Sequence, residues 1–132
     1  MVKLAVFASG SGTNFENIVN RIQDGTIQHA SVELLVVDKE HAKAIDRAKR
    51  LNIPWVYVNP KAFASKAEYE QEILGYLRKR EVELIALAGY MRIVSPVLLN
   101  AYPKRIVNLH PAYLPYFPGK QSILDAYNAK VS

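Results

Sequence analysis

A chain of 132 residues with no cysteine excludes a disulfide scaffold, a thiolate nucleophile and a cysteine-ligated metal. Half of the residues are hydrophobic, so a disordered chain is excluded as well, and the length fits one domain over residues 1–132 with a real core. The formal net charge of +5 suits attraction of small anions more than nucleic acid: the basic residues are scattered, as Lys43, Arg47, Lys49 and Arg50 are along one helix, and no basic stripe is interleaved with aromatics.

Met1 to Phe7 is apolar but stops at Ser9-Gly10-Ser11-Gly12, too short for a secretory signal, and no run is long enough for a bilayer. A soluble cytoplasmic protein without a membrane partner is expected. Val2 to Ala8 reads as a buried strand. A helix is expected from about Asn14 to Asp24, with Phe15, Ile18, Val19 and Ile22 on one face, a capping box of Thr13 and Glu16 at its start and Gly25 as its stop. Val32 to Val37 reads as a second strand, His41 to Leu51 as a helix with Ile45, Ala48 and Leu51 inward, and Pro54 to Val58 as a third strand. Ser65 and Glu68 make a second capping box, opening a helix to about Arg80 with Tyr69, Ile73 and Leu77 on one face. Val82 to Ala88 is the most apolar strand and is expected at the centre of the sheet. Ser95-Pro96 starts a short helix that ends near Tyr102, and Ile106 to Leu109 is a fifth strand. Beyond the proline-rich segment Pro111 to Pro118, Ile123 to Asn128 has the pattern of another helix. Alternating strands and helices predict an α/β fold: an open, mostly parallel sheet with helices on both faces.

Three segments have chemistry to offer. Ser9 to Asn14 joins the first strand to the first helix, and a helix N-terminus behind glycines suits a phosphate, with Thr13 and Asn14 adding donors. A dinucleotide site competes with that reading, since Gly10 and Gly12 begin the right spacing and Asp38 ends the second strand where a ribose-binding acid would sit. Phe15 occupies the third glycine position and weakens it, no Gly-Lys-Ser/Thr of a Walker loop follows, and a simple glycine turn also fits. Asn108 and His110 are two apart at a strand end, so both project to one side where open parallel sheets hold ligands. An amide that donates to a developing oxyanion, beside an imidazole that moves protons, suits acyl transfer to a substrate amine. A histidine bonded to a backbone carbonyl is the plain alternative, against which Pro111, Pro115 and Pro118 build a rigid wall beyond the pair. Gly89 lets the chain turn after the apolar strand, so that the backbone of Met91 to Val94 either lines a pocket for a flat heteroaromatic ring or simply fills core. No metal is expected, because His29, His41 and His110 have no ligand partners at suitable spacing.

The set Ser9 to Asn14, Leu87-Ala88-Gly89-Tyr90-Met91-Arg92-Ile93, Asn108-Leu109-His110-Pro111, Leu114-Pro115 and Phe117-Pro118-Gly119 resembles the glycinamide ribonucleotide transformylase family, in that family's order and spacing over the whole chain. The resemblance implies a Rossmann-like formyltransferase fold and transfer of a formyl group from 10-formyltetrahydrofolate to the amine of 5′-phosphoribosylglycinamide in purine biosynthesis. It implies that Gly12, Thr13 and Asn14 hold the ribose phosphate, that Lys66, Met91, Arg92, Ile93 and Val94 contact the folate, that Asn108 binds the formyl oxygen and that His110 is the general acid. Small-molecule substrates, not nucleic acid, are the partners it implies. The family's catalytic aspartate lies in a later segment. Asp125 is no substitute for it, and Gln121, where some members have a histidine, has no role. A C-terminally shortened domain, the first two-thirds of the family's length, with weak or no turnover is therefore expected, and its exposed edge strand would offer a homodimer contact. Competing readings are a formyltetrahydrofolate hydrolase, which usually carries an extra N-terminal domain, a methionyl-tRNA formyltransferase, which lacks the phosphate loop, and a non-catalytic phosphate- or nucleotide-binding module.

Overall fold

The computed structural model describes residues 1–109. Five strands, β1 (Val2–Ala8), β2 (Ala30–Val37), β3 (Trp55–Tyr57), β4 (Leu84–Ala88) and β5 (Ile106–Leu109), pair in the order β3-β2-β1-β4-β5, every pairing parallel. Four helices alternate with them: α1 (Thr13–Gln23), α2 (Lys43–Leu51), α3 (Lys66–Lys79) and α4 (Pro96–Ala101). The chain winds outward from β1 through β2 to β3, then crosses back to β4 on the far side of β1. Right-handed crossovers in opposite directions put α1 and α2 on one face and α3 and α4 on the other.

Each face has its own core. Leu4, Val6, Leu35, Val37, Leu84 and Ala86 pack against Phe15, Ile18 and Val19 of α1 and Ala44, Ile45 and Ala48 of α2. Ala5, Phe7, Leu34, Val36 and Ile85 pack against Tyr69, Ile73, Leu74 and Leu77 of α3 and Leu98 of α4. Leu4 to Ala8 is buried on both sides, which is why this strand reads as an unbroken apolar run and not as an alternation. A register shift sets Leu4 opposite Val32 and Ala5 opposite Leu34, so Glu33 is passed over and the rest of β2 keeps its apolar phase.

Several boundaries differ from the sequence expectation. β1 and not β4 is the middle strand: β4 is flanked by β1 and β5, and β1 lies between two inner strands, as the point from which both halves wind. β2 begins two residues before Val32, α2 two residues after His41, and β4 two residues after Val82. A 3₁₀ turn at Pro60–Ala62, capped by Asn59, was not expected. The capping box of Thr13 and Glu16 does not form. Gly12 is the N-cap, in the left-handed region, and the Glu16 carboxylate reaches across to Arg47 and Arg50 of α2 instead. Two guanidinium groups outcompete a single backbone N–H for one carboxylate. The Ser65 cap of α3 is present, its Oγ accepting from Glu68 N at 3.2 Å, and Gly25 follows the end of α1 with φ +85°. The helix expected at Ile123 to Asn128 lies outside the described residues.

The Glu16 bridge has a pH signature. Hydrogen bonds from Arg50 and then Arg47 hold the Glu16 carboxyl below the usual carboxylate range. A value depressed on folding adds stability above the unfolded pKa of about 4.3 and loses it as pH falls through the folded value. Glu16→Gln is therefore expected to lower Tm near pH ~7 by an amount worth about 1 kcal/mol or less, since Arg50 is largely exposed, and to differ little from the parent below pH ~3. Thermal melts across this range check it; an equal deficit at both ends would contradict the assignment.

Candidate functional site

The strand order reverses beside β1, so the loops after β1 and β4 diverge from neighbouring strand ends and leave a crevice between them. A cleft of about 340 Å³ opens there, lined by Gly10, Ser11, Gly12, Thr13, Asn14, Ala88 and Gly89. Gly12, Thr13 and Asn14, the residues expected to hold a phosphate, thus face the strand end that leads into the second loop.

The first loop is built for an anion from behind. Gly10 O accepts from Ala44 N at 3.1 Å and Ser11 O from Arg47 Nε at 2.7 Å, so both carbonyls turn back toward α2. Gly12 has φ +78°, and a β-carbon there would lie 2.6 Å from Ala44. Only glycine meets both conditions. The first bond of α1 runs from Glu16 N to Gly12 O, which leaves the N–H groups of Thr13, Asn14 and Phe15 without helical acceptors at the positive end of the helix dipole. The Thr13 hydroxyl lies 3.0 Å from that of Ser11. Phe15, at the third glycine position of a dinucleotide motif, is fully buried beneath α1 and holds the helix off the sheet.

The second loop, residues 89–95, is fastened at nearly every residue. Gly89 O accepts from Ser9 N at 3.2 Å, and Met91 N donates to the buried Ser9 hydroxyl at 2.8 Å. The Tyr90 hydroxyl is 2.7 Å from that of Tyr69, and its ring meets Phe7 edge-on. Burial pushes both phenols up, so the pair is a neutral hydrogen bond at ordinary pH. Arg92 Nε sits 3.3 Å from Asp38 Oδ2, with its guanidinium over the Tyr69 ring at 5.7 Å. Lys66 Nζ donates to Ile93 O at 2.6 Å. Glu70 accepts from Ser95 N at 2.9 Å, from the Ser95 hydroxyl and from Leu98 N at 3.2 Å, capping α4 from the neighbouring helix. Met91 and Ile93 remain 80% exposed. Among the described residues, Met91 O, Arg92 N, Arg92 O and Ile93 N have no hydrogen-bond partner.

A family model described as formyl transferase matches residues 2–131. The chain belongs to the formyl transferase family. It is 50% identical over 131 residues to the phosphoribosylglycinamide formyltransferase of Bacillus subtilis (strain 168), an alignment that covers 99% of this chain and 67% of that protein. The chloroplastic phosphoribosylglycinamide formyltransferase of Arabidopsis thaliana is 42% identical over 120 residues, covering 89% of this chain and 40% of that one. The crystal structure of glycinamide ribonucleotide transformylase 1 from Geobacillus kaustophilus matches the fold with a TM-score of 0.81 at 53% identity, over 98% of this chain and 68% of that chain. The chain therefore spans about two-thirds of the length of the Bacillus relative and less than half of the Arabidopsis one.

In this formyl transferase chain the residues singled out from sequence fall into separate places. Gly12, Thr13 and Asn14 line the cleft. Lys66 meets the second loop at Ile93, while Met91, Arg92, Ile93 and Val94 lie on that loop beyond the cleft's lining. Asn108 is exposed on β5, in register with Leu87, the residue before the cleft-lining Ala88. His110 lies outside the described residues. Among the described residues no group of three or more His, Cys, Asp or Glu is placed to hold a metal, and no helix is long and apolar enough to cross a membrane.

Sequence reasoning missed Ser9, Arg47 and Glu70 as supports of the two loops. Glu70 could have been found: it stands beside Tyr69 and one turn before Ile73 and Leu74, and a carboxylate inside a buried helical stripe needs a partner. The competing dinucleotide reading needs Asp38 as a ribose-binding acid, and its carboxylate is turned to Arg92.

Proposed function

We propose that the chain carries the substrate- and folate-binding part of an enzyme that transfers a formyl group from 10-formyltetrahydrofolate to the amine of 5′-phosphoribosylglycinamide. The observation that carries this reading is a cleft that holds an anion-ready helix N-terminus, Gly12 to Asn14, and reaches Gly89, from which the fastened 89–95 loop with its open backbone donors and acceptors leads away. A phosphate on the first loop and a flat heterocycle against the second would bring amine and formyl group together between them. The names of the relatives favour phosphoribosylglycinamide as the acceptor of the formyl group.

In this reading the amine nitrogen attacks the formyl carbon and forms a tetrahedral intermediate. The Asn108 carboxamide donates to the oxyanion. The C–N bond made in that addition is kept as the intermediate collapses and the bond from the formyl carbon to the folate N10 breaks; N10 takes a proton delivered by His110, and the attacking amine loses one. Lys66 and residues 91–94 serve the folate, and Gly12, Thr13 and Asn14 the phosphate.

The test incubates the chain with 10-formyldideazafolate and phosphoribosylglycinamide and reads formylated product by mass. Product that disappears on Asn108→Ala supports the proposal. Binding of both substrates, even without turnover, also supports it; binding of phosphoribosylglycinamide but not of the folate analogue would make the chain a phosphate-binding module instead, and binding of neither would sink both readings.

A further inference from the structure

Asp38 directly follows β2 and is 4% exposed, with both carboxylate oxygens lacking a hydrogen bond. A carboxylate so buried needs a counter-charge, and the one it faces is Arg92, 3.3 Å away. The two residues do not belong to neighbouring strands. Arg92 follows β4, and β1 lies between β4 and β2. Their contact therefore draws the 89–95 loop across the end of β1, where the Ser9 hydroxyl takes the Met91 N–H. On its other side the Arg92 guanidinium lies over the Tyr69 ring, and the Tyr69 hydroxyl in turn holds Tyr90. The guanidinium is thus held between the Asp38 carboxylate and the Tyr69 ring, while Ser9 and Tyr69 fasten the residues on its N-terminal side.

We infer that Asp38 is a positioning residue: through Arg92 it locks the 89–95 loop in the one conformation that presents the backbone of Met91 to Val94 to a ligand. Lifting the loop would separate Arg92 from a buried negative charge that has no other partner among the described residues, so the open conformations are suppressed before any ligand arrives. Tyr90 and Val94 pack against the core, but the Met91 and Ile93 side chains between and beside them are exposed, so the Arg92 contact and the hydrogen bonds fix the part of the loop that apolar burial does not. The identity of the ligand as a folate rests on the function proposed above; the locking does not.

Asp38→Asn keeps the side-chain size and removes the charge. In hydrogen–deuterium exchange on the 132-residue chain, the Met91 amide is expected to exchange about tenfold faster in this variant, while the Val6 and Phe7 amides in β1 change less than about twofold. Arg92→Met is expected to do the same, and the double variant to add nothing beyond either single change, the mark of two residues acting as one unit. The same Asp38→Asn protein should bind 10-formyldideazafolate about tenfold more weakly and inorganic phosphate within about twofold of the parent. Unchanged Met91 exchange, additive single effects, or a rise spread evenly through β1 would overturn the positioning role. If the parent chain binds no folate analogue, the proposed function falls, and the exchange data still decide the locking.

Discussion

Gly12→Ala is expected to lower the thermal midpoint by about 10–20 °C, from a loss of roughly 2–5 kcal/mol. Two independent costs combine. Alanine at φ +78° is strained by about 1–2 kcal/mol, and its β-carbon would lie 2.6 Å from both Cα and Cβ of Ala44. The obstacle includes backbone, so relief requires α2 to move away from the loop. That motion breaks the bonds from Ala44 N to Gly10 O and from Arg47 Nε to Ser11 O, which turn the loop carbonyls away from the cleft. Phosphate affinity should fall with stability. Gly10→Ala is the control: nothing lies within 4 Å of its added carbon and its φ is not positive, so a change within about 0.5 kcal/mol is expected. Circular-dichroism melts of the two variants decide the matter, and equal losses from both would refute the close-approach argument.

Glu70→Ala is expected to cost about 3–5 kcal/mol in urea unfolding, the scale set by donors left buried without acceptors. Glu70 is 2% exposed, and its two oxygens serve Ser95 N, the Ser95 hydroxyl and Leu98 N. Ser95 makes no side-chain cap of its own to α4, so no local group takes over. Glu70→Gln keeps one acceptor oxygen and the side-chain volume and should cost only about 1–2 kcal/mol. Because Ser95 ends the 89–95 loop, the alanine variant should also speed amide exchange at Met91, whereas glutamine should leave it nearly unchanged. A glutamine variant as unstable as the alanine one would mean that charge, and not hydrogen-bond acceptance, is what α4 requires.

The fold class was open to reading because burial on both faces makes β1, β2 and β4 into plain apolar runs, while α1 and α3 show apolar residues at helical spacing. β1 and β5 were placed to the residue. Shorter or compound elements were less legible. The 3₁₀ turn at Pro60–Ala62 depends on an Asn59 side chain bonding two residues ahead, and the start of β2 depends on pairing with β1 around the Glu33 bulge. Thr13 and Glu16 matched a capping pattern whose acid was claimed by arginines more than thirty residues away.

For the site, local chemistry was enough to mark Gly12 to Asn14 as a phosphate loop candidate, Met91 to Val94 as either a pocket wall or core filling, and Asn108 with His110 as a candidate pair, since each motif carries its own reason: a glycine turn before a helix, a turn after an apolar strand, two residues two apart at a strand end. Periodicity and turn chemistry act over a few residues and are written in the sequence. What holds those motifs in place acts between segments distant in the chain. Ser9 with Met91, Asp38 with Arg92, Glu70 with Ser95, and Gly12 with Ala44 become neighbours only when β1 sits between β2 and β4. Strand order is a property of the whole sheet, and it decided that two separate loops share one cleft.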